Sequence, residues 1–366
     1  MQILVEASEA YRNSSGIGRF SRELLRHLLH AQDANPNGLK LHYSPPDYAG
    51  RTHSNGTRSR TQRLTHFAEH FRLTQVEASW AARRIRPDVL HSLSFFAPLA
   101  AGSTPIVITC FDLAYFDLPD ETDPYWGAYA RRMMPVFARR AAIILTTSQT
   151  MRGQIIERFG VPAERVHVVH GAANSHFAPV SDPETLAKVR SRYDLPDVFV
   201  LYVGGWRSSK NLPTLFEAGQ HAGIPIVLAG TPHANAEREQ VEAARRAGAD
   251  VRTLGYVPDE LLPALYSLAA MVVLPSLQEG FGLPLVEAMT CGAPVIHSDL
   301  PVLNEITGEA ALRFPARDAD ALGDLLSRTA GSETLRNDLR QRGLAQAKCY
   351  TWEATAAQVV KVWQSL

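Results

Sequence analysis

Net charge, cysteine and lysine are scarce in this sequence. The 366 residues carry 37 basic and 37 acidic side chains, so the formal net charge is zero and a general nucleic-acid binder is excluded. The three cysteines have neither metal-ligand nor disulfide spacing, and a reducing compartment is therefore expected. Only five of the 37 basic residues are lysines. Lys210, which lies in a glycine turn, is accordingly a stronger candidate for a function than an ordinary surface lysine.

The sequence also lacks a long unbroken apolar run. Two long uncharged stretches, residues 89–111 and 261–278, are interrupted by prolines, so neither predicts a membrane span. Glu6 interrupts the N-terminal apolar segment, and no signal peptide is visible. A composition of 45% hydrophobic and 20% charged residues is typical of a soluble globular protein, and the expected location is the cytoplasm.

The chain is longer than one hydrophobic core comfortably serves, which predicts two domains. Residues 1–180 alternate short apolar runs with helical patterns, and a second series of the same kind follows a linker at Ala178–Pro183. Such alternation is typical of the α/β class, with parallel sheets covered by helices on both faces. The predicted domains are residues 1–180 and 181–366.

The most informative stretch is Glu279–Glu287, in which two carboxylates stand eight positions apart around a glycine turn and a proline. An apolar strand, Met271–Leu274, precedes it, and a helix at Pro284–Cys291 follows it. The motif thus lies at the carboxyl end of a parallel strand, where open α/β sheets bind ligands. Gly280 and Gly282 let backbone N–H groups approach an anion at the helix start. This arrangement suits a ligand with hydroxyls and phosphate, such as a nucleotide sugar.

A second glycine turn, Gly204–Asn211, also leads from a strand into a helix. It brings Arg207 and Lys210 to one loop. An arginine fork and a lysine point charge are the natural partners of a diphosphate that no metal ion neutralises. The loop alone also fits a solvated turn, but its pairing with the Glu279 loop in the same domain favours a diphosphate site.

Two weaker patterns leave alternatives open. Gly16-Ile17-Gly18-Arg19 offers N–H groups at the start of a helix, although a tight strand–helix turn explains it equally well. Asp318-Ala319-Asp320 matches the Asp-x-Asp that holds a divalent cation in another class of sugar transferase. Because it precedes a helical pattern, an N-cap and a first-turn aspartate explain it without a metal ion. No metal site is predicted.

Taken together, these residues resemble the retaining glycosyltransferases of family 4. The resemblance covers nearly the whole chain and is strongest from Leu201 to Asp299. It implies the GT-B fold, in which two Rossmann-like domains, an N-terminal acceptor-binding domain and a C-terminal nucleotide-sugar-binding domain, face each other across a cleft. It also implies that the last helix, about residues 352–366, returns to the N-terminal domain.

The resemblance implies a role for each matching residue. Glu279 would hydrogen-bond the donor sugar, and Glu287 would hold the ribose hydroxyls. Arg207 and Lys210 would clamp the diphosphate, and with Glu279 they are the expected catalytic residues. The other donor-binding residues would be Gly16 and Gly18 beside the diphosphate, Gly205 in the second glycine turn, Tyr256 and Val257 near the base, and Phe281, Gly282 and Leu283 beside sugar and phosphate. No cofactor is expected beyond the nucleotide sugar, which is a substrate.

The sequence departs from the family pattern in two places. Relatives often carry His-Asp where this chain has Phe111-Asp112, and that histidine usually lies by the donor sugar. His91 and Asp112 are the candidates on the acceptor or sugar side, although a lone histidine after a strand is also typical of a core. Relatives often carry Asn-Gly-Val-Asp at residues 171–174, where Asn174 keeps an oxygen but not the charge.

The predicted function is a retaining, metal-independent hexosyltransferase that moves a sugar from a nucleoside diphosphate sugar to a glycan or lipid-linked glycan. The pattern Ser15–Phe20 and the neighbourhood of Phe111–Leu113 look most like bacterial mannosyltransferases of polysaccharide assembly, which favours GDP-mannose as the donor. UDP-sugars and other GDP- or dTDP-hexoses stay open. So do a nucleotide-sugar 2-epimerase of the same fold and a non-catalytic sugar-nucleotide-binding subunit.

A basic segment adds a prediction about membranes. From Arg51 to Asp88 there are eight arginines against three acids, with Phe67, Phe71 and Trp80 among them. Such a segment can lie on anionic headgroups, which predicts peripheral contact with the inner face of the cytoplasmic membrane. A solvated, arginine-rich helical hairpin explains the same pattern.

Overall fold

The computed structural model describes residues 1–12, 16–35, 38–45 and 60–366. These residues form two compact units, Met1–Gly171 with Trp352–Leu366, and Ala172–Thr351. Each unit contains a six-stranded parallel sheet whose strands alternate with helices along the chain. The predicted α/β fold class is confirmed.

The first unit is built on a sheet in the order β2-β1-β3-β4-β5-β6. Its strands are β1 (Gln2–Glu6), β2 (Lys40–Ser44), β3 (Val89–Ser92), β4 (Ile106–Cys110), β5 (Ile143–Thr146) and β6 (Val166–Val168). Every residue of β4 and β5 is buried. Because helices cover both faces of a parallel sheet, its central strands have no polar face, and the sequence shows apolar runs instead of alternation.

Local capping signals set the bounds of several helices in the first unit. The helices are α1 (Ser8–Arg12), α2 (Gly16–Ala34), α3 (Arg60–Phe71), α4 (Ala78–Ile85), α5 (Ala114–Asp117), α6 (Pro124–Arg140) and α7 (Gln149–Phe159). A π-helical turn, Arg72–Glu77, joins α3 to α4. Asp123 caps α6 by accepting the N–H groups of Tyr125 and Trp126. In the described part of the chain, no helix has the length and apolarity that crossing a membrane requires.

The second unit shows the same alternation of strands and helices, and its sheet has the order β12-β11-β10-β7-β8-β9. Its strands are β7 (Val200–Val203), β8 (Ile226–Ala229), β9 (Val251–Gly255), β10 (Met271–Leu274), β11 (Val295–Ser298) and β12 (Ala311–Phe314). Its helices are α8 (Pro183–Arg192), α9 (Leu212–Ala222), α10 (Asn235–Arg246), α11 (Leu262–Leu268), α12 (Leu283–Thr290), α13 (Pro301–Thr307), α14 (Ala319–Gly331) and α15 (Glu333–Ala347). The buried strand β10 ends directly before the Glu279 loop, as its apolar sequence predicts.

The last helix, α16 (Trp352–Gln364), belongs to the first unit. The indole ring of Trp352 lies 5.0 Å from the ring of Phe20 on α2 and 6.3 Å from that of His27. The hydroxyl of Thr355 donates to the carbonyl oxygen of His170 at 2.6 Å. The end of the chain therefore completes the domain in which the chain begins.

The boundary between the units lies after Gly171 rather than after residue 180, where the sequence placed it. Phe177 is buried, and its ring lies 6.1 Å from that of Tyr266 on α11. The N–H of Val180 donates to the hydroxyl of Ser267 at 2.9 Å. Residues 172–180 thus pack on the second unit. The sequence-based boundary lies too late in the chain because the proline and serine of this stretch are typical of linkers.

Candidate functional site

The loops that follow β7 and β10 meet at the middle of the second sheet. These strands are neighbours, and the strand order reverses between them, since β8 lies beyond β7 and β11 lies beyond β10. Open α/β sheets bind ligands outside the carboxyl ends of the strands at such a reversal. The N–H of Leu277 donates to the carbonyl oxygen of Ser209 at 2.8 Å and joins the two loops.

Lys210 and Glu279 form an ion pair across this junction. Lys210 Nζ lies 2.6 Å from Glu279 Oε1, and the two side chains are 24% and 12% exposed. The fully buried Ser276 donates its hydroxyl to the same carboxylate oxygen at 2.7 Å. Partial burial strengthens the attraction relative to a pair on the open surface. The two residues that the sequence placed in separate loops are thus in direct contact.

Two residues to which the sequence analysis gave no role hold this pair in place. Asn211 follows Lys210 in a left-handed backbone conformation with φ at +52°, and its side-chain amide donates to the carbonyl oxygen of Pro275 at 3.1 Å. This bond ties the lysine loop to the end of β10. Ser276 is the second residue, because its hydroxyl orients Glu279. The sequence signals for these two roles are the amide of Asn211, directly after Lys210, and the hydroxyl of Ser276, three positions before Glu279.

The glycine turn before α12 has a steric requirement for Gly282. Its φ is +94°, and an added Cβ would lie 2.8 Å from Leu303 Cδ2. Gly282 is the N-cap of α12, and Leu283 is the first helical residue. Phe281 is buried, and its ring meets that of Tyr350 at 5.9 Å. The side chain of Phe281 therefore anchors the turn, and backbone N–H groups are the groups that a helix start offers to an anion.

Arg207 also influences the electrostatics of the site, although its side chain is exposed. Tyr202 is fully buried, and its hydroxyl donates to the carbonyl oxygen of Gly205 at 2.9 Å. Burial raises the pKa of Tyr202, the negative charge of Glu279 raises it further, and the positive charge of Arg207 lowers it. Both charges act on one phenol, and Arg207 lies three positions before Lys210 in the loop that contacts Glu279.

Glu287 lies on α12 and faces the interior of the second unit. It is 1% exposed, and its Oε2 accepts a hydrogen bond from the hydroxyl of the buried Tyr266 at 3.0 Å. A carboxylate in such a position is held by the core rather than solvated. Its contact with ribose hydroxyls stays a prediction.

Tyr256 and Val257 follow β9 at the same carboxyl edge of the sheet. Gly255 ends the strand with φ at +68°, and its carbonyl oxygen accepts the N–H of Gly230 at 2.7 Å. Val257 is buried, whereas Tyr256 is 74% exposed. An exposed aromatic ring at this edge is suited to a planar base, and the base contact also stays a prediction.

Comparisons with known proteins bear on what this site serves. Residues 185–346 match the model of the family described as "Glycosyl transferases group 1", and residues 14–176 match that of "Glycosyltransferase Family 4". The O-antigen chain mannosyltransferase B of Escherichia coli is 32% identical over 375 residues, which cover 96% of this chain and 96% of that protein. This chain belongs to the family 4 glycosyltransferases.

Two further comparisons concern a longer relative and the fold. The serotype-specific mannosyltransferase WbdA of Escherichia coli is 28% identical over 298 residues, which cover 75% of this glycosyltransferase and 36% of that protein. The structure of sucrose-phosphate synthase from Thermosynechococcus elongatus matches with a TM-score of 0.76 and 22% identity, over 100% of this chain and 98% of that chain. The fold of this glycosyltransferase is GT-B.

His91, a candidate for the acceptor or sugar side, lies in the core of the first unit. It is fully buried, its Nε2 lies 2.9 Å from Thr109 Oγ1, and its ring lies 5.6 Å from that of Trp363 on α16. Burial lowers the pKa of His91 to about 3, so the imidazole is neutral. The glycosyltransferase thus uses His91 to pack α16 on the sheet, and the ring does not reach the surface.

Phe111, which replaces the usual family histidine, is also a packing residue. Its ring lies 5.0 Å from that of Phe20, which in turn lies 5.0 Å from that of Trp352. The neighbouring Asp112 accepts the N–H of Ala114, the first residue of the short helix α5, at 3.1 Å and so stabilises the turn that leads into this helix. Asp112 is partly exposed after the end of β4, and its role toward a substrate stays a prediction.

Gly16 and Gly18 lie in the first turn of α2, because the helix begins at Gly16. Residues 13–15, which precede the helix, lie outside the described residues. A helix start of this kind offers N–H groups, as the diphosphate prediction requires.

Asp318, the first acid of the Asp-x-Asp pattern, is the N-cap of α14 and accepts the N–H of Ala321 at 2.9 Å. Asp320 lies 3.3 Å from Nδ1 of His221. Among the residues that the structure describes, no group of three or more His, Cys, Asp or Glu side chains is arranged to hold a metal ion. The pattern therefore has a capping role in α14.

Proposed function

We propose that this glycosyltransferase moves mannose from GDP-mannose to a hydroxyl of a glycan or lipid-linked glycan, with retention at the anomeric carbon and without a metal ion. The observation that carries the proposal is the Lys210–Glu279 pair at the strand-order reversal, with Arg207 in the same loop as Lys210. The sugar is inferred from two Escherichia coli relatives that are named as mannosyltransferases.

The cations of the site suit the leaving group. As the bond between the anomeric carbon and the phosphate oxygen breaks, negative charge grows on the diphosphate. Arg207 and Lys210 stabilise this charge, and the N–H groups at the start of α12 add partial positive charge. The two side chains do the work that a divalent cation does in metal-dependent transferases.

Glu279 suits the sugar side of the same bond. Its Oε1 is held by Lys210 and Ser276, so the carboxylate is fixed before the donor arrives. A fixed carboxylate can accept a sugar hydroxyl and balance the positive charge that develops on the ring. In retention of this type, the acceptor oxygen joins the anomeric carbon on the face that the phosphate leaves, and the acceptor proton passes to the leaving phosphate oxygen.

We expect GDP and GDP-mannose to raise the melting temperature of the protein equally well with EDTA and with magnesium. A nucleotide at 100 times its dissociation constant should add about 2.7 kcal/mol of stability. Thermal-shift measurements with GDP, UDP, dTDP and their sugars test the donor. A shift with UDP-sugars and none with GDP overturns the donor assignment, and a shift that EDTA abolishes and magnesium restores overturns the metal-free mechanism.

We also propose that the surface of α4 and the preceding π-helical turn contacts anionic lipid. Val76 in the π-helical turn and Trp80 on α4 are exposed large apolar side chains, and so is Phe71 at the end of α3. The guanidinium carbon of Arg84 lies 5.2 Å from the centre of the Trp80 ring, which places a cation beside an exposed indole. Apolar side chains among cations are suited to an anionic interface, where each basic residue contributes about 1 kcal/mol.

Only some residues of the basic segment Arg51–Asp88 belong to this surface. Phe67 is only partly exposed, because its ring packs 5.0 Å from that of Trp126. Arg51 and Arg58 lie outside the described residues.

We expect the protein to sediment with vesicles that contain anionic lipid and to stay in solution with neutral vesicles. Replacement of Trp80 by alanine should weaken the sedimentation by roughly 10-fold, because a large apolar side chain no longer enters the interface. Tyr125→Ala is a matched control, since Tyr125 is an exposed aromatic residue of the same unit on a different helix. Equal sedimentation with anionic and neutral vesicles ends the membrane proposal.

A further inference from the structure

The first sheet has its own strand-order reversal, between β1 and β3. β2 lies on one side of β1, and β4 lies beyond β3. Glu6 ends β1, Ser92 ends β3, and the two residues are paired in the register of these strands. This is the position in the first unit that corresponds to the Lys210–Glu279 junction in the second unit. A buried carboxylate therefore lies at the point where open α/β sheets bind ligands.

Glu6 connects the two segments that leave β1 and β3. Its side chain is fully buried. Its Oε1 accepts the N–H of Ser8 at the start of α1 at 3.0 Å, and its Oε2 lies 3.1 Å from the hydroxyl oxygen of Ser92. The main-chain carbonyl oxygen of Glu6 also accepts the N–H of Leu93 at 3.1 Å. One residue thus fixes both segments at the carboxyl edge of the sheet.

A count of hydroxyl protons indicates the charge of this carboxyl group. Ser92 Oγ lies 2.9 Å from the carbonyl oxygen of Phe96 as well as 3.1 Å from Glu6 Oε2. Ser92 carries one hydroxyl proton, while a carbonyl oxygen and a carboxylate oxygen are both acceptors. If Glu6 is ionised, one of these two contacts joins two acceptors with no proton between them.

A neutral Glu6 provides a proton for each of these two contacts. The carboxyl proton then bonds Ser92 Oγ, and the Ser92 proton bonds the Phe96 carbonyl oxygen. Ser94 Oγ, 3.1 Å from the same carbonyl oxygen, donates to its second lone pair and accepts the N–H of Phe96 at 3.1 Å. The chain of bonds runs from Glu6 to Phe96, whose ring lies 5.3 Å from Trp126 and 5.7 Å from Tyr129.

We propose that Glu6 is a positioning residue that, as a neutral carboxylic acid, holds residues 93–97 in the conformation that the acceptor requires. The proposal rests on the function proposed above and on the acceptor-binding role that the family resemblance implies for the first unit. Loss of the carboxyl proton breaks the chain at Ser92, because the one Ser92 proton cannot then serve both Glu6 and the Phe96 carbonyl oxygen, which keeps only its bond from Ser94 when Ser92 turns to Glu6. Acceptor binding is therefore sensitive to pH, whereas nucleotide binding in the second unit is not.

The environment of Glu6 places the loss of its carboxyl proton near neutral pH. Burial is the largest cause that raises the pKa of Glu6 to about 7, and the negative charge of Glu9 on α1 raises it too. Hydrogen bonds from Ser8 and Ser92 lower it. On the side of β3 the facing groups are the uncharged hydroxyls of Ser92 and Ser94.

The test compares Glu6→Gln and Glu6→Ala with the unmodified protein across about pH 6 to about pH 8.5. A glutamine amide donates to Ser92 as the neutral acid does but does not titrate. We expect the KM for octyl α-mannoside, used as an acceptor probe with GDP-mannose, to rise with pH in the unmodified protein and to stay low in Glu6→Gln. Glu6→Ala should raise this KM by about 10-fold at every pH, because a buried bonding partner is lost.

Amide hydrogen exchange of residues 93–97 gives a readout that needs no acceptor. Protection should fall above about pH 7 in the unmodified protein and persist in Glu6→Gln. Glu9→Gln is a matched control on α1, since it removes the neighbouring negative charge and should move the fall in protection to lower pH. The thermal shift with GDP should be the same in all variants, which separates this proposal from the donor assignment.

Three results overturn the proposal. The first is an identical pH profile of exchange in the unmodified protein and in Glu6→Gln. The second is a loss of GDP binding in Glu6→Ala as large as the rise in acceptor KM, which indicates a general structural role. The third is an acceptor KM that does not change with pH while exchange does.

Discussion

Glu279→Gln should lower kcat/KM for the nucleotide sugar by about 30-fold to about 1000-fold, the equivalent of roughly 2–4 kcal/mol of transition-state stabilisation. The amide keeps the shape of the loop but loses the charge that opposes the positive charge on the sugar ring. Binding of the bare nucleoside diphosphate should not weaken, because Lys210 then loses its intramolecular partner and is available to the diphosphate. Steady-state kinetics and nucleotide titration measure the two effects.

The same unit offers a control for this substitution. Glu184 pairs with Lys188 at 2.6 Å, the same distance as in the Lys210–Glu279 pair, but both side chains are largely exposed. Glu184→Gln should therefore change neither turnover nor nucleotide binding. Glu287→Gln should show the reverse pattern, with weaker nucleoside diphosphate binding through the ribose. Normal turnover in Glu279→Gln, or equal weakening of the bare nucleotide by both active-site variants, contradicts the assigned roles.

Lys210→Ala should weaken binding of the nucleoside diphosphate by about 10-fold to about 150-fold, the equivalent of roughly 1.5–3 kcal/mol for a charge-assisted contact. Two effects act in the same direction. The cation that holds the diphosphate is lost, and Glu279 stays as a partly buried carboxylate without its cation, close to an anionic ligand. Isothermal titration with GDP measures the loss.

A double substitution separates these two effects. Lys210→Ala combined with Glu279→Gln removes the unpaired carboxylate, so GDP affinity should recover in part relative to Lys210→Ala alone. Lys188→Ala is the matched control and should leave the affinity unchanged, because Lys188 is an exposed partner of Glu184. Undiminished GDP binding in Lys210→Ala removes this lysine from the diphosphate site.

The donor side of the fold could be predicted from sequence because its information is local. Met271–Leu274 is an apolar run that ends at Pro275, and the structure has a strand with the same bounds. The helix predicted at Pro284–Cys291 is present as α12, Leu283–Thr290. The two loops were correctly paired in one domain, because parallel strands of one sheet bring their carboxyl ends to a common edge.

Contacts between distant parts of the chain could not be predicted in this way. By its sequence pattern His91 resembles a site residue, but in the folded protein the ring of Trp363, near the end of the chain, packs against it. In the sequence Glu6 is an acid inside an apolar run, and this local pattern indicates only the absence of a signal peptide. Its partner Ser92 lies 86 positions away, and only the register of β1 with β3 brings them together. Side-chain register of this kind depends on tertiary packing, which local patterns do not encode.

The return of α16 to the first unit has a consequence for biosynthesis. Residues 172–351 form one continuous segment, whereas the first unit needs both ends of the chain. Domains generally fold as units while synthesis proceeds from the N-terminus. The second unit can therefore finish folding while the ribosome still holds α16, and the rings of Phe20 and His27 lack their contacts with Trp352 until α16 emerges. The first unit therefore begins to be synthesised before the second unit and is completed after it.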